Sequence, residues 1–516
     1  MTQTSSKSWL AAAGAYIDRR AITMFFLGFS AGMPLLLIFS SLSLWLREAG
    51  VERNTVTMFS WAALAYSFKF VWAPLIDSLP LPLLLTRGLG KRRGWLLLAQ
   101  LLIIAAICWM AMVNPVGPAA LTVMAAAAVL LGFSSATQDV VIDAYRIEVA
   151  GDDTAMQSVT AATYNAGYRL GMIVAGAGAL FLAAKLGSHE QAYHYAAWQQ
   201  TYLIMAAVMG VGVLTTLLIR EPASSASHTA SRPASDNLRL VLLFVLSVTA
   251  FVAAFSQLGK VLPQGGGPLS SLGVEGLRLV LSTIAALIVG MFTVKSGLVP
   301  KQLAVDTWVH PVTDFFQRYG KSALLLLALI GVYRISDIVA GVISNVFYQD
   351  MGFSKEEIAA AVKTFGVLMA VVGGFLGGFL AQKFALMKMM MAGAVLAALT
   401  NLMFVALAYR GHDVVFMYLA VGFDNLAAGL AGAVFVAFLS ALTDIRFTAV
   451  QYAIFSSLMT LLPKTLGGYS GAMVDNIGYP GFFTLTALMG VPVLLLVYFA
   501  EKKLFQHRHK NYDEAV

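Results

Sequence analysis

Eight charged residues stand inside stretches too apolar to face water: Lys69, Asp139, Arg169, Arg334, Asp337, Lys363, Asp424 and Lys464. A charge at the centre of a membrane helix costs roughly 2.5–3.5 kcal/mol on insertion scales, so it normally faces a cavity or a partner. Five of the eight are cations and three are anions, an excess that suits an anionic ligand. Two kinds of chemistry follow. Arginine and lysine can hold carboxylates or phosphates, and an aspartate in apolar surroundings can load and release a proton.

Such charges require membrane helices to carry them. The 516-residue chain is 59% hydrophobic and 12% charged, where soluble domains have about 25% charged residues. Apolar runs of 18 or more residues recur along nearly its whole length, each able to cross about 30 Å of hydrocarbon as a helix. No alternating barrel pattern competes. Fourteen spans are predicted, at about 20–46, 54–77, 95–112, 118–145, 155–183, 197–219, 237–258, 272–297, 322–348, 357–381, 385–408, 413–442, 447–471 and 480–500. The first run follows "YIDRR" and lacks a small-residue cleavage site, so it reads as a retained span. Lys and Arg concentrate on the segments that a cytoplasmic N-terminus places inside, which accounts for most of the net charge of +8. That leaves no soluble basic domain to bind nucleic acid. The single cysteine, Cys108, excludes an intrachain disulfide.

The spans group as an all-α polytopic protein of two six-helix halves, residues 20–219 and 322–500, with short cytoplasmic ends at 1–19 and 501–516. Between the halves lie a Ser/Ala/Pro-rich linker at 220–236, two extra spans within 237–297, and a polar segment at 298–321 with the character of an interfacial helix. Six plus six with a cytoplasmic connection is the arrangement of the major facilitator fold, whose halves rock around a site near the bilayer midplane. Small residues in "GFSAGMP" (28–34), "GYRLGMIVAGAG" (167–178) and "GGFLGG" (373–378) allow close helix packing. They bear on the fold and not on the substrate.

Helical rise puts Arg169, Arg334, Asp337 and Asp424 near mid-membrane, Lys69 toward the cytoplasmic side, and Lys363 and Lys464 on the outer half. Asp139 and Asp143, four apart, share one helical face below the midplane. Asp143 is expected to cap or pair at the cytoplasmic mouth with Arg146 or with the basic loop 87–94, where Asp77, Arg92 and Arg93 would form a latch. Asp139, beside Gln138, is either a proton-coupling group or one member of a permanent pair with Arg169. Arg169 either grips a substrate carboxylate or phosphate, or joins spans through an aspartate. Asn165 and Tyr168 lie beside it. Arg334 and Asp337 are spaced to pair along one helix. Lys363 and Lys464 have no adjacent anion, which implies a negative ligand, a distant aspartate, or snorkelling to the interface. The seven histidines lie in predicted loops or span ends, and there is no GxxxxGK[ST] loop, so metal chemistry and ATP-driven pumping have no support. A secondary transporter without a cofactor is the economical reading.

The stretches "FKFVWAPLIDS" (68–78), "KRRGWLL" (91–97), "SSATQDVVIDAY" (134–145), "GYRLGM" (167–172), "YRISDIVAG" (333–341), "KTFG" (363–366) and "AVQYAIFSSL" (449–458) resemble the AmpG-type muropeptide permeases. The resemblance implies a bacterial inner-membrane permease of the major facilitator superfamily, working as a monomer. It would import GlcNAc-1,6-anhydro-MurNAc, usually with its peptide, for cell-wall recycling, and so influence β-lactamase induction. The proton-motive force would drive uptake. Function carries over onto Gln138, Asp139, Tyr168, Arg169, Lys363, and the pair Asp424 and Asn425, with Asp139 and Asp424 as proton-coupling groups. The sugar faces could pack on Tyr66, Tyr164, Tyr168 or Trp72. The competing expectations are a permease for another anion, such as a siderophore or acetyl-CoA, and a membrane receptor that binds without flux.

Overall fold

The computed structural model describes residues 13–51, 59, 65–81, 88–188, 192–222, 233–262, 268–467 and 470–513. Among them the regular structure is helical, and twelve helices are long and apolar enough to cross a membrane. The first two predicted spans fall outside that set of twelve; the second is described only from Ala65 onward, and part of it lies outside the described residues.

The N-terminal half begins with α1 (Arg19–Leu36), whose first turn is capped by the Asp18 carboxylate accepting from the Arg20 amide. Pro34 interrupts the hydrogen-bond ladder of α1, and the helix continues through a wide π turn, Leu37–Ser41, into Leu42–Glu48. Next comes α2, built from Ala65–Phe68, a 3-10 turn at Lys69–Val71, and Ala73–Ser78. It is followed by α3 (Lys91–Ala111), α4 (Pro118–Ala150), α5 (Thr154–Ile173, running on through a π turn to Lys185) and α6 (Tyr195–Leu218). An intervening hairpin consists of α7 (Ala234–Val261) and α8 (Pro268–Lys295), and α9 (His310–Tyr319) is a short helix preceded by Lys301–Ala304 and a π turn at Val305–Val309.

The C-terminal half comprises α10 (Ala323–Val332 and Ile335–Asp350), α11 (Lys355–Ile358, a π turn at Ala359–Phe365, and Gly366–Leu380), α12 (Leu386–Arg410), α13 (Val414–Leu442), α14 (Thr448–Gly467), α15 (Ser470–Leu488) and α16 (Gly490–Asp513). Helix α16 continues past the apolar run that ends at Ala500 because Glu501, Lys502, Lys503 and Gln506 are all good helix formers. The seventh core span is not continuous: the chain turns at Tyr333–Arg334, with Arg334 at φ −100° and ψ 17°.

Lipid chains are as apolar as leucine, so helices in a membrane associate through close packing and not through burial from water. The seam between α1 and α5 shows this. A Cβ at Gly28 or Gly32 would overlap the carbonyls of Tyr164 and Tyr168, and one at Gly167 or Gly171 would overlap those of Phe25 and Phe29. In the other half, Gly373 and Gly377 of α11 meet the carbonyls of Leu426 and Leu430, while Gly429 of α13 meets that of Ala370. Each seam sets neighbouring side chains, Tyr168 and Arg169 in one half and Asp424 and Asn425 in the other.

A second correspondence relates the halves. Gly212 of α6 packs against Ser30 of α1 and Gln100 of α3, with a Cβ there 2.9 Å from the Ser30 Oγ. Gly490 of α16 packs against Ser336 of α10 and Ala398 of α12, with a Cβ 3.4 Å from the Ser336 Oγ. First, third and last helices of each half therefore cross at a serine and a glycine. The hairpin stands apart. It is mostly exposed, ties itself together where Arg278 donates to the Phe255 carbonyl at 2.7 Å, and meets the bundle through Leu240 and Phe244. Phe244 helps to line an apolar cavity of about 200 Å³ with Trp72, Trp95 and Phe133.

The seams make a stability prediction. Gly167→Ala forces two backbones apart and should cost about 1–3 kcal/mol, whereas Gly210→Ala, with nothing within 4 Å of the new Cβ, should be neutral or gain a few tenths from helix propensity. Thermal unfolding of the detergent-solubilised variants measures the contrast.

Candidate functional site

Helix α4 lays Ser135, Asp139 and Asp143 one turn apart along one face, with Thr137 on another side beside the apolar cavity. The Ser135 hydroxyl lies 2.5 Å from that of Tyr66, and Thr137 accepts from the Trp72 indole at 3.1 Å. One turn on, Asp139 is 9% exposed and accepts from the Tyr164 hydroxyl at 3.3 Å. Asp143, a further turn along, meets Lys69 Nζ at 3.5 Å and Arg146 at 3.7 Å. The two carboxylates thus have different settings. Asp143 sits against two cations, whereas Asp139 has a phenol beside it and feels Lys69 only through space. Gln138 is fully buried, and neither end of its amide has a hydrogen-bond partner among the described residues.

Arg169 comes from α5, one position past Tyr168, whose ring leans on that of Tyr164 at 5.9 Å. Its guanidinium is half-buried and makes no hydrogen bond or ion pair among the described residues, so the pairing with Asp139 that the sequence allowed is not formed. The charge it senses is that of Arg334, from the opposite half. Asn165, one turn before, is also half-buried and has no side-chain hydrogen bond among the described residues.

In the C-terminal half the break in α10 presents Arg334, which donates to Asp337 at 2.6 and 3.0 Å. Tyr333 anchors the break by donating to the Met390 carbonyl at 2.8 Å and stacking on Phe435. Asp424 of α13 accepts from Thr400 at 3.1 Å and lies in the field of Asp337 and Arg334. The Asn425 amide turns back to the Val421 carbonyl at 2.9 Å. Lys363 lies in the π turn of α11, and its side chain is outside the described residues. Lys464 follows Pro463 in α14, is exposed, and joins no ion pair among the described residues.

One face of the bundle is stitched shut between the halves. Arg92, at the start of α3, is buried and reaches Asp77 at 2.7 Å, Glu148 at 2.6 Å and the Thr448 hydroxyl of the other half at 2.7 Å. Thr448 donates in turn to Glu148 at 2.7 Å, and the second oxygen of Asp77 takes the backbone N–H of Val450 at 3.0 Å. N-terminal amides of a helix lack intrahelical partners, so Asp77 caps α14 across the interface. Arg146 adds a bond to Ser440 at 2.9 Å and lies 5.0 Å from the centre of the Tyr452 ring. Arg93 stays within its own half, donating to the Thr216 and Leu217 carbonyls that end α6. Glu148, Thr448 and Ser440 escaped the sequence reading. Glu148 stands just past an apolar run, where charge is unremarkable, and serine and threonine carry no pattern that marks an interface.

The match of a protein-family model described as acetyl-coenzyme A transporter 1 covers residues 21–209. The chain is 28% identical to a putative transporter AmpG 4 of Rickettsia felis, over 94% of this chain and 98% of that protein. It is 29% identical to the anhydromuropeptide permease of Escherichia coli strain K12, over 93% of this chain and 79% of that protein. Its fold matches a solved structure of the proton:xylose symporter XylE of the major facilitator superfamily at a TM-score of 0.59, with 12% identity, covering 94% of this chain and 96% of that one. The chain is thus similar along nearly its whole length to AmpG-type permeases, and its fold is the major facilitator fold.

Proposed function

We propose that the chain imports anhydro-muropeptides, GlcNAc-1,6-anhydro-MurNAc with or without peptide, from periplasm to cytoplasm by proton-driven alternating access. The observation that carries the reading is Arg169: a guanidinium at membrane depth, without an ion-pair partner among the described residues, in the field of a second arginine from the other half. Two cations facing one another across a pseudo-symmetric interface are held apart by repulsion, and a substrate bearing carboxylates removes that cost by binding between them. Peptide-bearing muropeptides have such carboxylates, and similarity to an anhydromuropeptide permease over 93% of this chain agrees.

In this mechanism substrate meets Arg169, Arg334 and Lys363, with Gln138, Asn165 and Asn425 donating to its amides and sugars. Tyr66 and Tyr168 offer ring faces, and Asp337 releases Arg334 as substrate arrives. Lys69 and Lys464 would contribute longer-range attraction. Asp139 and Asp424 each accept a single hydroxyl hydrogen bond, from Tyr164 and Thr400, so either can take a proton without breaking an ion pair. Proton loading then lowers the charge that must cross the membrane interior. The stitched face, with Asp77, Arg92 and Asp143 and with Arg93 bracing α3 to α6, is the cytoplasmic gate, both termini being cytoplasmic. Opening inward breaks the Arg92 network; each half keeps its seams. The bilayer and the proton gradient are the other partners, and a monomer suffices.

A second reading, carriage of acetyl-CoA, is favoured by the family match over residues 21–209. Charge alone does not separate it from the first, since both substrates are anionic.

Four outcomes are expected. Proteoliposomes with an imposed pH gradient should accumulate labelled GlcNAc-anhydro-MurNAc-peptide, and excess acetyl-CoA should not compete; acetyl-CoA flux without muropeptide uptake would overturn the substrate. Asp139→Asn should abolish gradient-driven accumulation while exchange of preloaded substrate persists, and Arg169→Gln should weaken substrate binding about tenfold or more, the loss of one charged hydrogen bond. Asp77→Asn should expose the closed face, read as faster maleimide labelling of Ser440→Cys with the native Cys108 replaced.

A further inference from the structure

The segment that joins the hairpin to the C-terminal half has two faces of different chemistry. Its back is fastened to both halves. The Trp308 indole donates to the Val71 carbonyl of α2 at 3.4 Å, and Pro311, Asp314 and Phe315 are buried. Asp314 takes Arg446 at 2.8 Å, Arg318 at 2.8 Å and the Gln451 amide at 3.1 Å, all in the C-terminal half or on α9 itself. The front shows Val309, Val312 and Phe316, 48%, 40% and 41% exposed, at a spacing of three and four that puts them on one side of α9.

Lys295 and Lys301 precede that apolar stripe in the chain, and Lys321 follows it. All three are exposed, and none has a carboxylate at ion-pair distance among the described residues. Asp306, by contrast, is engaged by the Gln302 amide at 2.9 Å. An apolar helix face flanked in the chain by lysines on flexible stems is the pattern of a helix lying in the headgroup layer, where the stripe enters the acyl boundary and the ammonium groups reach phosphate. The segment also stands at the membrane boundary of the stitched face, since Arg318 donates to the Leu442 carbonyl that ends α13.

We propose that residues 295–321 form a binding site for anionic phospholipid. Lys295, Lys301 and Lys321 hold the headgroup, and Val309, Val312 and Phe316 hold the first part of the acyl chains. Because the back of the same segment grips α2 in one half and the start of α14 in the other, lipid on the front stabilises the state in which this face is closed. The proposal is independent of the transported substrate.

Native mass spectrometry of the full chain, given equal phosphatidylglycerol and phosphatidylcholine, should show preferential retention of phosphatidylglycerol. The combined variant K295Q/K301Q/K321Q should lose that preference several-fold. Val312→Ser with Phe316→Ser should lower retention of both lipids. Thermal unfolding should shift upward with phosphatidylglycerol in the wild type, less in the lysine variant, and not at all with inorganic phosphate. Equal retention of the two lipids by the wild type, an unchanged preference in the lysine variant, or equal stabilisation by free phosphate would overturn the site. If the combined variant does not fold, K301Q and K321Q singly must each reduce the preference for the proposal to stand.

Discussion

The contact on which the rest of the molecule depends is backbone against backbone. In a solvent that offers no hydrophobic reward for joining helices, α1 and α5 are held by glycines that admit a facing carbonyl, and α11 and α13 likewise. These seams leave no room for sliding. Tyr164, Tyr168 and Arg169 are therefore fixed relative to α1, and Asp424 and Asn425 relative to α11, so each half presents its polar groups as a rigid set.

Between the rigid sets the structure adds charge to close packing: Gly378 of α11 admits the Ser158 backbone of α5, and the stitched face is held by ions. On the stitched face the charges are neutralised by partners: one guanidinium is shared by Asp77, Glu148 and Thr448. Removing one partner from such a buried network costs about 3–5 kcal/mol, although the network as a whole adds far less than that sum. Nearer the membrane centre Arg169 lacks such a partner among the described residues. The molecule thus separates a region where electrostatics is satisfied internally from one where a guanidinium has no ion-pair partner among the described residues. The proposed alternating-access cycle requires that separation, since its gate must close without a ligand and its binding site must not.

Much of this was legible in the sequence. Composition and apolar run length gave a helical membrane protein, and the charges within spans marked the region where Arg169, Arg334, Asp337 and Asp424 come together. The motif resemblance agreed with relatives that match nearly the whole chain. What the sequence hid depends on pairing across space. The expected Asp143–Arg146 pair forms, but the second cation at Asp143, Lys69, and the Tyr164 hydroxyl that faces Asp139 carry no mark in the chain. Hydropathy runs smoothly through Tyr333–Arg334, where the helix breaks, because a window average is blind to a single turn. The matched serine–glycine crossings of the two halves share no surrounding sequence, so the repeat shows in three dimensions and not in the chain.

The hairpin of α7 and α8 has a topological consequence. A pair of crossings returns the chain to the face it left: α6 ends beside Arg93 on the stitched face, and α9 lies on that face again before α10 begins. One added helix, or three, would have delivered the C-terminal half inverted, and Thr448 and Val450 could not then meet Arg92 and Asp77 across the stitched face. Insertions at this junction are restricted by parity. Helices can be gained or lost there only in twos, and the spacing of the two halves in the chain is free to vary while their relative orientation is not.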